Sequence, residues 1–237
     1  MSLKQKTDYY GLTTLDANLV LVSTTENKSQ STVEAQGEDG FVVAVESFGL
    51  RAAPTCEYVL KHDVDMSDIK MGAITAITGM GNFVLSSFEV NTQAGAAPTV
   101  SASGSQVETN ATATCYAMLP AITIGALHHA QTFGAFTLSG AGAHLTQCTF
   151  SAQCEVSTAE KDGDILAHDI VGGTVTVSGT IQVSDPTYPV PTVTPANGWT
   201  ITSPVTETNP DSNFPTYTFT LTKYLVGQET TNTPSGN

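Results

Sequence analysis

The sequence predicts an all-β protein, mainly antiparallel, folded as a β-sandwich or barrel with one long hairpin and one short helix. Three observations carry that expectation. First, two stretches alternate: apolar side chains take every even position from Cys148 to Val156, and Val175, Val177, Gly179, Ile181 and Val183 alternate with polar residues from Thr174 onward. A period of two marks a strand with one dry face. Second, charged residues make up only 13% of the chain against a usual ~25%, and threonine and serine take their place. The branched Cβ of threonine restricts χ1 and suits strands better than helices. Third, the remaining apolar runs are short and bounded by glycine, proline or polar turns.

At 237 residues the chain fits one large β domain with embellishments. Residues 1–15 read as a polar N-terminal arm, with Tyr9, Tyr10 and Gly11, able to order against a neighbour. Residues 16–183 read as the core. Within it Leu19–Val22 is a continuous apolar run suited to a strand buried on both faces. Residues 24–31 read as a polar turn and 32–36 as a short strand; Gly37–Gly40 is a tight turn before a strand at Phe41–Val45. Phe48-Gly49 and Ala53-Pro54 punctuate, Thr55–Leu60 is another strand, and Asp63–Lys70 is acidic and turn-like.

Strands follow at Ile74–Ile77, Phe83–Leu85 and Phe88–Val90, and the change of phase between Leu85 and Phe88 predicts a bulge. Pro98–Glu108 echoes Gly173–Val183 at a spacing of 75 residues, through Thr99, Val100, Ser103 and Gly104, an echo that two strands of like composition also produce. Asn110–Met118 is the helix candidate, with Asn110 as N-cap and Pro120 as stop. Ile122–Ile124 and Phe133–Leu138 read as strands, and residues 145–183 as the long hairpin. Residues 184–215 hold seven of the eleven prolines, which cannot donate to a ladder, so this is an extended loop or edge segment. Residues 216–226 return as a C-terminal strand before a polar tail at 227–237.

Eight basic residues against twenty-two acidic ones give a formal charge of -14, and after Met71 only Lys161 and Lys223 are basic. Such a surface repels phosphate and lacks the basic footprint of static nucleic-acid binding. Anionic membranes are disfavoured for the same reason. Lys4 and Lys6 are followed by no apolar signal region, and no apolar run is long enough to span a bilayer, so the chain is expected to fold in a cytoplasm. Cys56, Cys115, Cys148 and Cys154 are then thiols. Cys148 and Cys154 share a strand face, but lie ~20 Å apart on a regular strand, beyond disulfide reach.

No constellation of residues carries catalysis, and the chain is read as a non-enzyme. Glu160, Asp162, Asp164 and Asp169 surround Gly163, yet the spacing misses the EF-hand pattern, and a solvated hairpin tip explains them better than calcium. A glycosidase carboxylate pair has no supporting context. His128 and His129 adjoin, so their side chains diverge; with His144, His168, Cys148 and Cys154 they form no CxxC or HxxxH spacing for zinc. No cofactor and no metal is expected. The sequons at Asn27 and Asn110 are accidental in a cytoplasmic chain.

Many strands with few charges point to assembly. Sheets guard their edges with lysine, proline or inward charges, and Cys148–Val156 and Val175–Val183 contain no lysine. Either a closed barrel removes the edges or neighbouring subunits cover them, and a long hairpin, an arm and a proline-rich segment are the parts that β-rich rings use to reach a neighbour. An obligate homo-oligomer is expected.

The order Tyr10-Gly11, Gly40 to Gly49, Ala53-Pro54 to Tyr58, Ala97 to Gly104, and Asp162-Gly163-Asp164 followed by Gly173 to Val183 resembles the tail tube and related virion proteins of tailed bacteriophages. The resemblance implies a β-sandwich or barrel with a flanking helix, in subunits that form rings, commonly hexameric. Stacked rings conduct genomic DNA, alongside other virion proteins, in the tail of a virion whose subunits fold in the bacterial host. An acidic wall fits, since a basic one would bind the passing duplex by counterion release. Glu160, Lys161, Asp162, Asp164 and Asp169 are the candidates for lumen or inter-subunit contact. The competing expectation is a receptor- or carbohydrate-binding β-sandwich, for which Tyr188, Trp199 and Phe214 would be exposed contact residues rather than anchors of the proline-rich segment.

Overall fold

Threonine, valine and serine at alternating positions leave the backbone little choice but to extend. In the computed structural model the described residues are 19–60, 64–65, 69–77, 81–113, 115–118, 123–124, 132–139, 144–159, 166–184, 192–203, 206–208, 215–225 and 228–229. Among them the chain is all-β and mainly antiparallel, with no helix. The strands are Leu19–Gln36 (β1), Val42–Leu60 (β2), Val64–Asp65 (β3), Lys70–Met71 (β4), Ile74–Ile77 (β5), Gly81–Gln93 (β6), Thr99–Ala113 (β7), Cys115–Met118 (β8) and Thr123–Ile124 (β9). They continue with Phe136–Ser139 (β10), His144–Ala159 (β11), Ala167–Ser184 (β12), Thr192–Pro195 (β13), Thr200–Ile201 (β14), Thr206–Thr208 (β15), Thr216–Leu225 (β16) and Gln228–Glu229 (β17).

The main sheet runs in the order β1-β2-β7-β6-β11-β12-β16-β14, with β5 added on β6 and β15 on β16. Its register explains the alternation. One continuous row crosses the sheet as Leu21, Tyr58, Val100, Val90, Phe150, Gly179, Leu221 and Ile201. The neighbouring row on the opposite face is Ser23, Glu57, Ser101, Glu89, Ser151, Ser178, Thr222 and Thr200. The sheet thus has one apolar face and one face of hydroxyls and scattered carboxylates. Transfer of apolar area from water favours curling the first face inward, and it is buried around Phe83, Phe88, Val90, Phe150, Tyr217 and Leu221.

The sheet curls far enough to meet itself. The far end of β7 pairs in parallel with the start of β12, through Val107 with Ala167, Thr112 with Asp169 and Ala113 with Ile170. Strands β7, β6, β11 and β12 therefore close on one another at one end, while the rest of the sheet stays open as a half-barrel. The Leu166 amide donates to the Glu108 carboxylate at 3.0 Å beside this seam. A smaller apolar cluster at Val84 and Val107, with Ile74, Ala111 and Val156 against it, fills the closed end.

Several expectations hold. The long hairpin of 145–183 pairs from Leu145 opposite Val183 to Ala159 opposite Asp169, and Cys148, Phe150, Ala152 and Cys154 are all buried. The register slips between Leu85 and Ser87, where the phase change predicted a bulge. The proline-rich segment supplies edge strands β14 and β15 against β16.

Other expectations are corrected. Asn110–Met118 is no helix: β7 runs to Ala113 and β8 holds Cys115–Met118. Pairing with β12 and β4 satisfies the backbone there, and the β-branched threonines cost less in a strand than in a helix. Residues 24–31 are no turn, because β1 runs through them opposite β2. Phe48-Gly49 and Ala53-Pro54 do not end β2, although its register with β1 slips at Gly49-Leu50. Pro54 lies just outside the stretch of β2 that pairs with β7, where a missing N–H is tolerated. Leu19–Val22 has one dry face: Leu19 and Leu21 are buried, whereas Val22 sits in a bulge, 49% exposed. Of Asp63–Lys70, Val64–Asp65 form β3 and Lys70 opens β4, while residues 63 and 66–68 lie outside the described residues. Phe133 and Gly134 form a turn, so the strand expected there begins only at Phe136. Finally, the strands whose unguarded edges suggested assembly, β11 and β12, are central, each with a neighbouring strand on both sides.

Candidate functional site

Beyond the main sheet, β1 and β2 continue alone. β2 pairs with β7 only from Thr55 to Val59, whereas β1 and β2 stay paired from Asn27 opposite Ala53 out to Gln36 opposite Val42. At ~3.3 Å per residue this two-stranded ribbon projects about 30 Å from the sheet. Its tip is set by sequence. The Gly37 amide donates to the Phe41 carbonyl at 2.8 Å, the Gly40 amide donates to the Gly37 carbonyl at 2.9 Å, and Gly40 has φ 78°. A left-handed glycine closing a three-residue loop is the common way to turn a hairpin with a bulge.

The ribbon carries unexpected side chains for a free end. Val33, Phe41, Val42, Val43 and Val45 are exposed by between 46% and 72%, with Phe41 the most open. Most of the exposed large hydrophobics among the described residues lie here, the others being Val22 and Ile201. Glu34, Glu38 and Asp39 are also exposed near the tip, and Lys28, paired with Glu26 at 3.2 Å, lies near the base. The sequence contained this signal in the apolar run of 41–45, but the assumed turn at 24–31 hid the length of the ribbon.

The open side of the half-barrel is covered by two linked turns. In one, Phe133 and Gly134 have φ of 52° and 65°, and the Ala135 amide donates to the Thr132 carbonyl at 3.0 Å. In the other, Asn197 and Gly198 have φ of 52° and 80°, and the Trp199 amide donates to the Ala196 carbonyl at 3.0 Å. Asn-Gly is a strong short-range hairpin signal, and the sequence carries it at 197–198, inside the segment expected to be an extended loop or edge. The Asn197 side-chain amide donates to the Gly134 carbonyl at 2.8 Å and ties the turns together, while the Lys223 ammonium donates to the Asn197 carbonyl at 2.8 Å. Phe133 and Trp199 are thereby lowered onto Phe150. Trp199, 5% exposed, is an anchor and offers no face to a ligand; Tyr188 and Phe214 lie outside the described residues.

Of the residues expected at a lumen or subunit contact, Glu160, Lys161, Asp162 and Asp164 lie outside the described residues, as do His128 and His129. Asp169 is on β12, opposite Ala159 and beside Thr112, and His168 precedes it on the same strand. No three His, Cys, Asp or Glu side chains converge as a metal site among the described residues. Cys56, Cys148 and Cys154 are buried free thiols. Burial pushes the Cys148 thiol far above its ordinary range, and it raises Cys56 too, against smaller opposing hydrogen bonds from Tyr58 and Thr24. Such thiols are inert rather than nucleophilic.

A shallow groove of about 390 Å³ crosses the hydroxyl face where β1, β2, β7 and β6 lie side by side, lined by Val22, Glu57, Val59, Glu89, Thr99 and Ser101 among others. Glu57 and Glu89 flank Ser101 in one lateral row. The Ser23 hydroxyl donates to Glu57 at 2.6 Å.

No known family model matches the chain, and a search of curated proteins found no relative.

Proposed function

We propose that this chain is a structural subunit that assembles with further copies of itself into rings, and that stacked rings form the tube of a bacteriophage tail. The observation that carries the reading is the β1–β2 ribbon. A two-stranded hairpin is marginal in water without a third strand or a packed face, and this one exposes Val33, Phe41, Val42, Val43 and Val45. Exposed apolar side chains gathered at one end of a chain mark a contact surface. Coverage by neighbouring subunits removes both costs at once, and a reach of about 30 Å makes contact with a neighbour straightforward.

The charge fits the tube. A formal charge of -14 gives a wall that neither binds nor stalls a passing duplex. The partners are then other copies of the chain, further virion proteins, and DNA in transit; no membrane and no cofactor takes part, and no catalysis is assigned.

The test is particle state. Light scattering and negative-stain imaging of purified protein across salt concentrations should show rings or tubes with a central hole. A variant carrying Phe41→Ser and Val43→Ser should keep the native far-UV spectrum and lose the particles. A protein that stays monomeric when concentrated and salted would overturn the proposal and favour a binding module.

A further inference from the structure

The groove between Glu57 and Glu89 has the chemistry of a socket for a lysine. Its two carboxylates sit two strands apart, a backbone separation of about 9.5 Å, so one ammonium group held over Ser101 can approach both. Neither carboxylate has a basic partner among the described residues. The rim is apolar where it should be for that occupant. The bulge at Val22 turns its side chain outward beside Val59, and these two can cover the methylene stem of a lysine while its charged end reaches the acids.

The chain contains a matching occupant. Residues 1–18 precede β1 and carry Lys4 and Lys6, a quarter of the eight basic residues in a strongly acidic protein, together with Leu3, Tyr9, Tyr10 and Leu12. From Lys6 to Leu19 the chain can reach up to roughly 43 Å when extended, and the groove begins only three residues into β1, at Val22. Tethering so close to the socket holds the segment at high effective concentration.

We propose that this groove docks the N-terminal segment of the same subunit, with Lys4 or Lys6 seated between Glu57 and Glu89. The docked segment would cover the two carboxylates on the hydroxyl face and neutralise part of their charge. This holds for a single subunit and does not depend on ring formation.

Zero-length carbodiimide cross-linking of the full chain, followed by peptide mass spectrometry, tests it. The reagent joins a lysine amine to a carboxylate only when the two are in contact, and the Lys28–Glu26 pair, 3.2 Å apart, is the internal control. An equal mixture of unlabelled and ¹⁵N-labelled protein separates links within a subunit from links between subunits. The expected result is a link from Lys4 or Lys6 to Glu57 or Glu89 with both peptides carrying the same label. It should be lost in the Glu57→Gln, Glu89→Gln double variant and in the Lys4→Gln, Lys6→Gln variant. Links that join differently labelled peptides would assign the socket to a second copy and overturn the proposal. Links from the two acids to other lysines, or none while the control forms, would overturn it too.

Discussion

Trp199 meets Phe150 edge-on, with ring centroids 6.1 Å apart and an interplanar angle of 68°. Phe133 also meets Phe150 edge-on, at 5.9 Å and 63°. Three aromatics from the centre of the sheet and from the two covering turns thus form the contact that shuts the open side of the half-barrel. Edge-to-face pairs of this kind add to the burial of the rings themselves. Trp199→Ala should cost about 3 to 5 kcal/mol in chemical denaturation. A loss below about 1 kcal/mol, within the range of an ordinary surface substitution, would show that the turn does not cover the core.

The Asn197-Gly198 turn holds that tryptophan in place. Asn197→Ala should destabilise by about 1 to 2 kcal/mol, because alanine resists a left-handed backbone that asparagine tolerates. Asn197→Gly should cost less, losing the hydrogen bond to the Gly134 carbonyl but relieving the backbone. Equal losses in the two variants, read from denaturation midpoints, would refute this division.

Two glycines should respond differently to one methyl group. A Cβ on Gly104 would collide with the Val84 carbonyl and crowd the Phe83 ring at 2.7 Å, in the middle of the β6–β7 ladder. A Cβ on Gly40, at the ribbon tip, would meet nothing within 4 Å and face only the strain of φ 78°. Gly104→Ala should therefore cost well over the ~1 to 2 kcal/mol expected of Gly40→Ala. Melting of the two variants side by side decides it.

The buried thiols set an alkaline limit. Burial raises the folded-state value of Cys148 and Cys56 above the ordinary thiol value of 9.0. Below 9.0 both folded and unfolded states keep the proton and no stability is lost. Above it the unfolded state ionises first, so stability should fall as pH rises past that point. Cys148→Val should flatten this fall. At pH 8 the native protein should leave Cys56 and Cys148 unlabelled by a thiol reagent, and rapid labelling of Cys148 would contradict its burial.

Much of the sheet could be read from the residues because its period is two. The strand from Cys148 buries its even positions as far as Cys154, with Val156 partly buried, and the phase change near Leu85 is a bulge. The order of strands was harder, since alternation fixes which face is dry without fixing which strand lies alongside. For that reason β11 and β12 looked like exposed hairpin arms, although they lie at the centre, and the ribbon that does project was divided by a supposed turn at 24–31. Polar β-formers such as Thr24, Thr25 and Thr32 serve a loop or an exposed strand equally well, and only pairing with β2 separates the two. The helix expected at 110–118 failed for a related reason: a capping asparagine and a later proline are local signals, and the non-local pairing of Thr112 with Asp169 outweighs them. The groove at Glu57 and Glu89 had no signature at all, because its residues are 32 positions apart and meet only through β7.

The central claim is that the β1–β2 ribbon is the surface covered on assembly. Hydrogen exchange of the assembled particle against the dilute protein measures this directly, peptide by peptide. Amides of residues 27–53 should exchange rapidly in the dilute protein and gain strong protection in the particle, while those of 147–154 are protected in both. Particles that form with the ribbon still exchanging freely, or a chain that forms none at any concentration, would contradict the account.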